Sequence, residues 1–549
     1  NIWQRLENDA ITFYFLKLPD MGLTDELYIK MNSRGKELTT FEHFKAELER
    51  EIRKLDEKNG TDNADRIAQS IDITWTNLLW QYRNSGTDED EDNVIDDEFL
   101  RYFKFICDII DYGNDLSPQC PDYDVFKLLE LHFHGENPDF AANLQRLESF
   151  FDCWCHISGF KNPTEFLESF MGVTHDPDKI CAGFETENIF SVCLHSYAEK
   201  SGNRRVMSLA DTVLLYAIVV YLQNQHSVSY KDFVRRMRII NNLVKNSGDE
   251  VADRKNHNRM PAIFRATKQI ILTGFVEKID EKHFNEHQLR EEADKIAHLA
   301  SHPEDRENLF KLEDHELLKG QISIVGLENL DLVDRFYGLF ACDWDKVDCA
   351  LMSIGNYAQD ENKSNRHQVG SGKLQYAWDQ LFHKRTYLGF ENTKNILVEL
   401  LRTHPVFDND VLDKIAADFL SDCESKGEYP WTYYYVKYSV CRPGLYGKLN
   451  NPDAVHNPYL YVVMQTQQQL SSSSYVPYFQ EADKDAVDKE QEGKRLLYPD
   501  RYILCENGAY VVYNLADDRE ICRIDIPQNA AGIDTCDRVV LLKDYIENM

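Results

Sequence analysis

Apolar residues recur at intervals of three and four along most of the chain from residue 41 to 300, a period that predicts amphipathic helices. One run places Phe99, Phe103, Ile106 and Ile110 on a single helical face. Further runs with this period span residues 67–82, 125–133, 140–157, 206–222 and 230–244, and another helical portion extends from 288 to about 419. The pattern therefore predicts a mainly α protein with a large multi-helix body.

The period changes near residue 425, where short runs of aromatic and β-branched residues predict strands. These runs span residues 431–440, 459–465, 501–505, 509–514, 521–526 and 538–542. Asn507-Gly508 lies between two of them and is typical of a tight hairpin turn. We therefore expect a helical domain over 51–300, a second helical portion over 301–424 and a small β-rich C-terminal domain over 425–549.

Composition narrows the class of protein. The formal net charge of −32 disfavours general affinity for nucleic acid, because a phosphate backbone would be repelled at long range. The longest apolar run, residues 213–222, is too short to span a bilayer and predicts a buried helix rather than a membrane anchor. Thirteen cysteines without paired metal-ligand spacing favour a reducing, cytoplasmic location and no zinc site.

One segment departs from the acidic average. Residues 231–268 hold ten Lys and Arg against four Asp and Glu, and Lys231, Arg235 and Arg238 have the spacing of one helical face. These three residues are the predicted nucleic-acid contacts. The alternative is that the cations of the segment pair with the chain's own surplus carboxylates, and the sequence leaves both interpretations open.

A second candidate site lies near the start of the chain. The stretch from Tyr28 predicts a short helix, a turn at Asn32-Ser-Arg34-Gly35, and a helix whose N-cap is Thr39 or Thr40. Gly35 permits a positive φ, and the exposed amides around it can bind an anion beside Arg34 and Lys36.

Residues 10–48 resemble the second half of the domain that opens the GmrSD-type modification-dependent restriction endonucleases. That domain has a ParB/sulfiredoxin-like fold and a Phe-x-x-x-Asn-x-x-Gly-x-x-Leu pattern, which this chain matches from Tyr28 to Leu38 with Tyr in place of Phe. The resemblance implies that residues 1–50 are the C-terminal part of a ParB-like domain. It also implies that Asn32, Arg34, Gly35 and Lys36 contact a nucleotide or DNA phosphate.

The family's nucleotide-hydrolysing motif, of the Asp-Gly-Gln-Gln-Arg type, does not occur in this sequence. We therefore expect an N-terminally truncated fragment without NTPase activity of its own, while the resemblance implies NTP and Mg²⁺ for the intact protein. The implied function is restriction of foreign DNA, or defence against phage, in a bacterial cytoplasm. The alternative is a non-catalytic assembly or sensor subunit that docks a partner nuclease through the β-rich domain, and a second copy of the chain is a further implied partner.

Weaker likenesses to long family members occur at residues 312–320, with Asp314-His315, and at 433–447, which begins with three tyrosines. Asp314 beside His315 could place a histidine next to a carboxylate, or the pair could serve helix-end packing. No recognisable Ser-His-Asp, Cys-His or complete His-Asn-His pattern predicts a catalytic site.

Overall fold

Helices dominate this chain, whose fold is known from a computed structural model. The structure describes residues 38–83, 94–121, 123–172, 175–180, 188–202, 204–252, 258–276, 283–360, 366–370, 375–385, 387–442, 459–461, 476–491 and 493–549. These residues divide into two units. The first takes its residues from 1–110, 120–155 and 193–199, and the second takes the remainder.

The described part of the chain contains twenty-one α-helices, α1 to α21 in chain order. The first eleven are α1 (Thr40–Asn59), α2 (Asn63–Gln69), α3 (Thr76–Trp80), α4 (Asp96–Gly113), α5 (Val125–Phe133), α6 (Phe140–Cys155), α7 (Pro163–Phe170), α8 (Ile189–Ser196), α9 (Leu209–Gln223), α10 (Tyr230–Lys245) and α11 (Met260–Thr273). The rest are α12 (Glu286–Ser301), α13 (Arg306–Glu313), α14 (Val333–Phe340), α15 (Trp344–Ile354), α16 (Gln375–His383), α17 (Phe390–Thr403), α18 (Asn409–Lys426), α19 (Trp431–Lys437), α20 (Val476–Ala482) and α21 (Arg538–Glu547). A π-helical segment, Ser70–Trp75, joins α2 to α3, and 3₁₀ turns occupy Pro303–Asp305, Leu327–Leu332 and Ser439–Cys441.

The described strands form three antiparallel sheets. They are β1 (Lys200–Ser201), β2 (Arg204–Arg205), β3 (Gln359–Asp360), β4 (Arg366–Gln368), β5 (Tyr459–Tyr461), β6 (Leu496–Leu497), β7 (Arg501–Glu506), β8 (Ala509–Asn514) and β9 (Glu520–Asp525). β1 pairs with β2, β4 lies between β3 and β5, and the largest sheet has the order β6-β7-β8-β9. Its central hairpin turns at Asn507 and Gly508, whose φ angles of 48° and 81° suit a tight turn.

Each unit has its own core. In the first, the Trp75 ring stacks on Phe151 with centroids 4.5 Å apart, and Phe99 stacks on Phe151 at 4.9 Å. In the second, one hydrophobic cluster runs from Leu309 in α13 to Leu542 in α21. This cluster includes residues on both sides of position 425. The domain boundaries at 50, 300 and 424 stay predictions.

The mainly helical fold and the small C-terminal sheet are confirmed. α5 and α16 have the predicted bounds, and β7, β8 and β9 fall within a residue of theirs. The predicted cap of the helix near residue 41 is also confirmed, because Thr39 accepts from the amide of Glu42 and the Glu42 carboxylate accepts from the amide of Thr39. The ParB-like portion up to residue 37 lies outside the described residues.

Two predicted strands are wrong. Residues 431–440 form α19 and a 3₁₀ turn, and residues 538–542 begin α21. In α19 the hydroxyl of Tyr434 donates to Asp534 at 2.8 Å, and just after the helix that of Tyr438 donates to Asp537 at 2.6 Å. Helical spacing brings both tyrosine hydroxyls to the same side, where they donate hydrogen bonds to buried carboxylates. These contacts outweigh the β-propensity of the aromatic run.

No described helix is both long enough and apolar enough to cross a bilayer. Residues 213–222 lie within α9, and all but Tyr216 are buried in this helix, as predicted.

Candidate phosphate-binding cleft

The first predicted site, Asn32, Arg34, Gly35 and Lys36, lies outside the described residues. Its proposed contact with a nucleotide phosphate stays a prediction. The second predicted site lies on α10, in the second unit, and is described in full.

α10 begins at a well-defined cap. Ser229 accepts from the backbone amide of Asp232 at 3.1 Å and donates its own proton to the Asp232 carboxylate at 2.7 Å. The first turns of α10 have a buried and an exposed side: Phe233 and Val234 are buried, whereas Lys231 and Arg235 are exposed. The i, i+4 spacing places the two cations on the same side of the helix, as predicted.

Lys231 and Arg235 form no ion pair with any residue in the described parts of the chain. Two other cations of the basic segment pair with carboxylates: Arg259 lies 3.7 Å from Glu250, and Arg265 pairs with Asp115. A third, Arg236, donates to the backbone carbonyl of Ile271 at 2.8 Å. Arg254 and Lys255 fall outside the described residues. Pairing with the chain's own carboxylates thus accounts for part of the segment, and not for the two exposed cations of α10.

Arg238 has a different environment, since its side chain is only 4% exposed. Its Nη1 donates to Oδ1 of Asp314 at 2.5 Å and lies 3.5 Å from Oε2 of Glu313, while Nη2 donates to the carbonyl of Lys179. A buried guanidinium with two carboxylates is already neutralised. Arg238 therefore lies beneath the predicted contact surface, and Lys231 and Arg235 remain at it.

Arg238 belongs to a buried polar cluster that also includes Lys295, Glu291, Glu292 and Glu313. The ammonium of Lys295 lies 3.1 Å from Glu291, 2.9 Å from Glu292 and 3.0 Å from Glu313. Burial raises the pKa of Glu292 to about 7, even though Lys295 favours its charged form. Burial alone would lower the pKa of Lys295, but Glu292 and Glu313 raise it overall.

The cluster closes around Gly320, which the sequence marks at the end of the 312–320 segment. Its φ is +87°, and a Cβ at this position would lie 2.3 Å from Oδ1 of Asn242 in α10. The Gly320 carbonyl accepts from the Gln288 side chain at 3.3 Å. Glycine is therefore required for the backbone to approach α10 this closely.

The exposed cations of α10 border a cleft with a volume of about 400 Å³. Its lining residues are Pro177, Asp178, Tyr230, Lys231, Asp232, Val234, Arg235, Arg238, Arg306 and Phe310. The Phe310 ring is 5% exposed and lies 4.4 Å from the Arg238 guanidinium and 5.1 Å from that of Arg306. The two carboxylates in the lining are already engaged, because Asp178 accepts from Arg306 at 2.8 Å and Asp232 from Ser229.

Asp314 and His315 do not form a pair. Asp314 accepts from Arg238 and also contacts Nδ1 of His175 at 2.6 Å, whereas the His315 ring packs against Phe336 at a centroid distance of 4.8 Å. Burial lowers the pKa of His315 to about 4, so the ring is neutral near pH 7. His315 therefore has the packing role that was the alternative to a histidine–carboxylate pair. Asp314 instead contacts the side chains of Arg238 and His175.

The tyrosines at 433–435 serve the core. Tyr435 donates to Oδ2 of Asp348 at 2.8 Å, and the hydroxyl of Tyr357 donates to the other carboxylate oxygen. Burial raises the pKa of Asp348 to about 7 despite these two bonds. The Asp348 carboxylate and its two tyrosine partners are enclosed in the core, because Tyr357 and Tyr435 are both 0% exposed.

Sequence reasoning missed Arg306, Phe310 and Asp178. Arg306 and Phe310 lie on one face of α13 at i, i+4, which the local pattern does contain. The local pattern does not show that α13 approaches α10, because sixty residues of the chain lie between the two helices. The cations of α10 and the Arg–Phe pair of α13 line the same cleft only because the two helices pack together in the folded protein.

No protein-family model, curated protein or solved structure matches this chain. The GmrSD-type resemblance of residues 10–48 therefore stays a prediction. Within the described residues, no three or more His, Cys, Asp or Glu side chains are grouped so as to hold a metal ion.

Proposed function

We propose that this chain is part of a GmrSD-like restriction or phage-defence protein and that its helical body contacts the phosphates of foreign DNA through Lys231 and Arg235. The observation that carries the proposal is the unpaired state of these two cations, among the described residues, at the rim of a cleft. The resemblance of residues 10–48 supplies the biological context. In this proposal the body is a binding module, and Asn32, Arg34, Gly35 and Lys36 contact a nucleotide phosphate in the intact protein.

The positions of the two exposed cations matter because the whole chain carries a net charge of −32, which repels nucleic acid. The repulsion between such a charge and nucleic acid is largely screened beyond the Debye length, which is about 8 Å at physiological salt, so the charges close to the contact decide whether the phosphates bind. Within that distance, unpaired cations can still release counterions from the phosphates they contact. We therefore expect weak binding that falls steeply with salt.

The test is a salt titration of DNA binding by the parent protein and by the Lys231→Gln/Arg235→Gln variant. Loss of two phosphate contacts should reduce the slope of log K against log salt by about 2, and affinity at low salt by roughly tenfold to a hundredfold. The matched control is Lys268→Gln/Lys414→Gln, which changes two exposed lysines outside the cleft by the same total charge. Absence of binding by the parent, or an equal loss in the control, would contradict the proposal.

A second candidate function is the docking of a partner nuclease, favoured by the outer edge of β9. Among the described residues, β9 pairs with β8 alone, and its Ile521 side chain is 44% exposed. An open edge can accept a strand from another protein, and a charge on that edge blocks such pairing. Ile521→Lys should abolish association with a co-expressed partner nuclease and leave DNA binding intact. Unchanged association would exclude this edge as the docking site.

A further inference from the structure

The cleft beside α10 combines an apolar interior with a cationic rim. Val234 and Phe310 are buried in its wall, with exposures of 8% and 5%, and Pro177 contributes another apolar surface. Lys231 and Arg235 lie at the exposed side of the same space. A ligand that fits this cleft would place a flat, weakly polar group against the apolar wall and an attached anionic group at the cationic rim.

Arg306 supplies a planar surface that is held in place. Its Nη2 donates to the carbonyl of Pro177 at 2.7 Å and to Asp178 at 2.8 Å, and its guanidinium lies against the Phe310 ring. The side chain is nevertheless 40% exposed. A fixed and partly exposed guanidinium plane is a surface on which an unpaired base can stack.

The neighbouring Arg238 strengthens this arrangement without competing for the anion. Its charge is taken up by Asp314 and Glu313, while its guanidinium lies 4.4 Å from the Phe310 ring. The anion is therefore directed to the rim, where Lys231 and Arg235 have no carboxylate partner among the described residues.

Resting on the proposed function, we propose that this cleft takes one unpaired nucleotide of a single strand. The base stacks on Arg306 within the cleft, and the adjacent phosphates lie at Lys231 and Arg235. The volume of about 400 Å³ is at the lower end of the range for small-ligand sites and suits one base rather than a base pair. A base in a duplex would have to leave its stack to enter, at a free-energy cost that favours single strands.

The experiment compares a labelled single strand with the duplex of the same sequence at low salt. The parent should bind the single strand about tenfold more tightly, the value expected for one stacked base. Arg306→Lys keeps the charge and removes the plane, so single-strand affinity should fall about tenfold while duplex affinity changes less than twofold. Arg290→Lys, at an exposed arginine on α12 outside the cleft lining, is the matched control and should change neither.

A second variant fills the cleft without altering any charge. Val234→Phe places a larger side chain in the wall and should remove the single-strand preference while the salt dependence persists. Its melting temperature is compared with that of the parent, and Arg306→Lys gives an independent readout if the larger side chain unfolds the protein. Equal affinity of the parent for the two probes, or unchanged single-strand binding in Arg306→Lys, would overturn the proposal.

The outcomes separate the two proposals. If Lys231→Gln/Arg235→Gln weakens both probes equally and Arg306→Lys weakens neither, phosphate contact stands and the single-nucleotide site is wrong. If the Lys231 and Arg235 variant weakens neither probe, the proposed function itself fails. If adenosine monophosphate binds as tightly as the strand, the cleft serves a free nucleotide, and the assignment to a polynucleotide is overturned.

Discussion

Lys231 and Arg235 lie on the exposed side of α10, whereas Arg238, less than one turn further along, is buried among carboxylates. The residue types are nearly the same, but the roles differ. The first pair has no ionic partner among the described residues and can bind a ligand. Arg238 is one member of a closed cluster, so its charge contributes to the fold.

The difference follows from what packs against each turn of the helix. α10 packs against α9, α11 and α12, and its later turns also meet the end of α13, where Glu313 and Asp314 lie. A buried cation without a partner is strongly unfavourable, so the buried positions require carboxylates nearby. An exposed cation has no such requirement, because water solvates it. Depth within the helix packing, rather than residue type, thus decides whether a cation of α10 is neutralised within the fold or left exposed without an ionic partner among the described residues.

The largest expected effect comes from breaking the buried cluster at Lys295. Lys295→Met removes the one ammonium that Glu291, Glu292 and Glu313 share, and should lower the free energy of unfolding by about 3–5 kcal/mol. Lys231→Met, at the rim, should change it by less than about 0.5 kcal/mol. Urea denaturation at pH 7 measures both. Similar values for the two variants would mean that the cluster contributes little to stability.

A smaller effect should follow from replacing the guanidinium and keeping its charge. Arg238→Lys cannot reach Asp314 and the Lys179 carbonyl at once with the same geometry, and should reduce the free energy of unfolding by roughly 1.5–3 kcal/mol. Arg235→Lys is the matched control, since its side chain is exposed and forms no ion pair with a described residue. A loss of the same size in the control would contradict the contrast between the two positions.

The smallest effect, when it is compared per pH unit, is a dependence of the free energy of unfolding on pH. The pKa of Glu292 is raised to about 7 in the folded protein, above its ordinary value, so the folded state holds a proton there that the unfolded state has lost. Stability from this group is therefore present at low pH and is lost as pH rises towards 7, with a slope of no more than about 1.4 kcal/mol per pH unit.

Glu292→Gln should remove that part of the slope, because the amide does not titrate and its oxygen can still accept from Lys295. Glu286→Gln, at a partly exposed position on the same helix where the carboxylate pairs with Arg290, is the control and should leave the slope as it is in the parent. The measurement is the free energy of unfolding at several pH values between 4 and 7.5. An unchanged slope in Glu292→Gln would show that another group titrates in this range.

Local pattern was sufficient for many elements. The bounds of α5 and α16, the Thr39 cap and the Asn507-Gly508 turn follow from periodicity, side-chain caps and backbone preferences within a few residues. The local pattern gave a wrong prediction where the secondary structure that it favours differs from the one that long-range contacts stabilise. α19 has the composition of a strand, yet the carboxylate of Asp534 fixes a tyrosine of this run in a helix from a hundred residues away.

The sequence by itself determined that the protein is mainly helical, where α10 begins, and that Lys231, Arg235 and Arg238 share its spacing. Only the tertiary structure decided which of these cations is free to bind. Arg238 meets Asp314, and Arg306 and Phe310 reach the same cleft, through the approach of α13 to α10. Periodicity records how residues are arranged around one helix. The burial of a charge and the pairing of its partners depend on a second helix, and that information lies in contacts between distant segments.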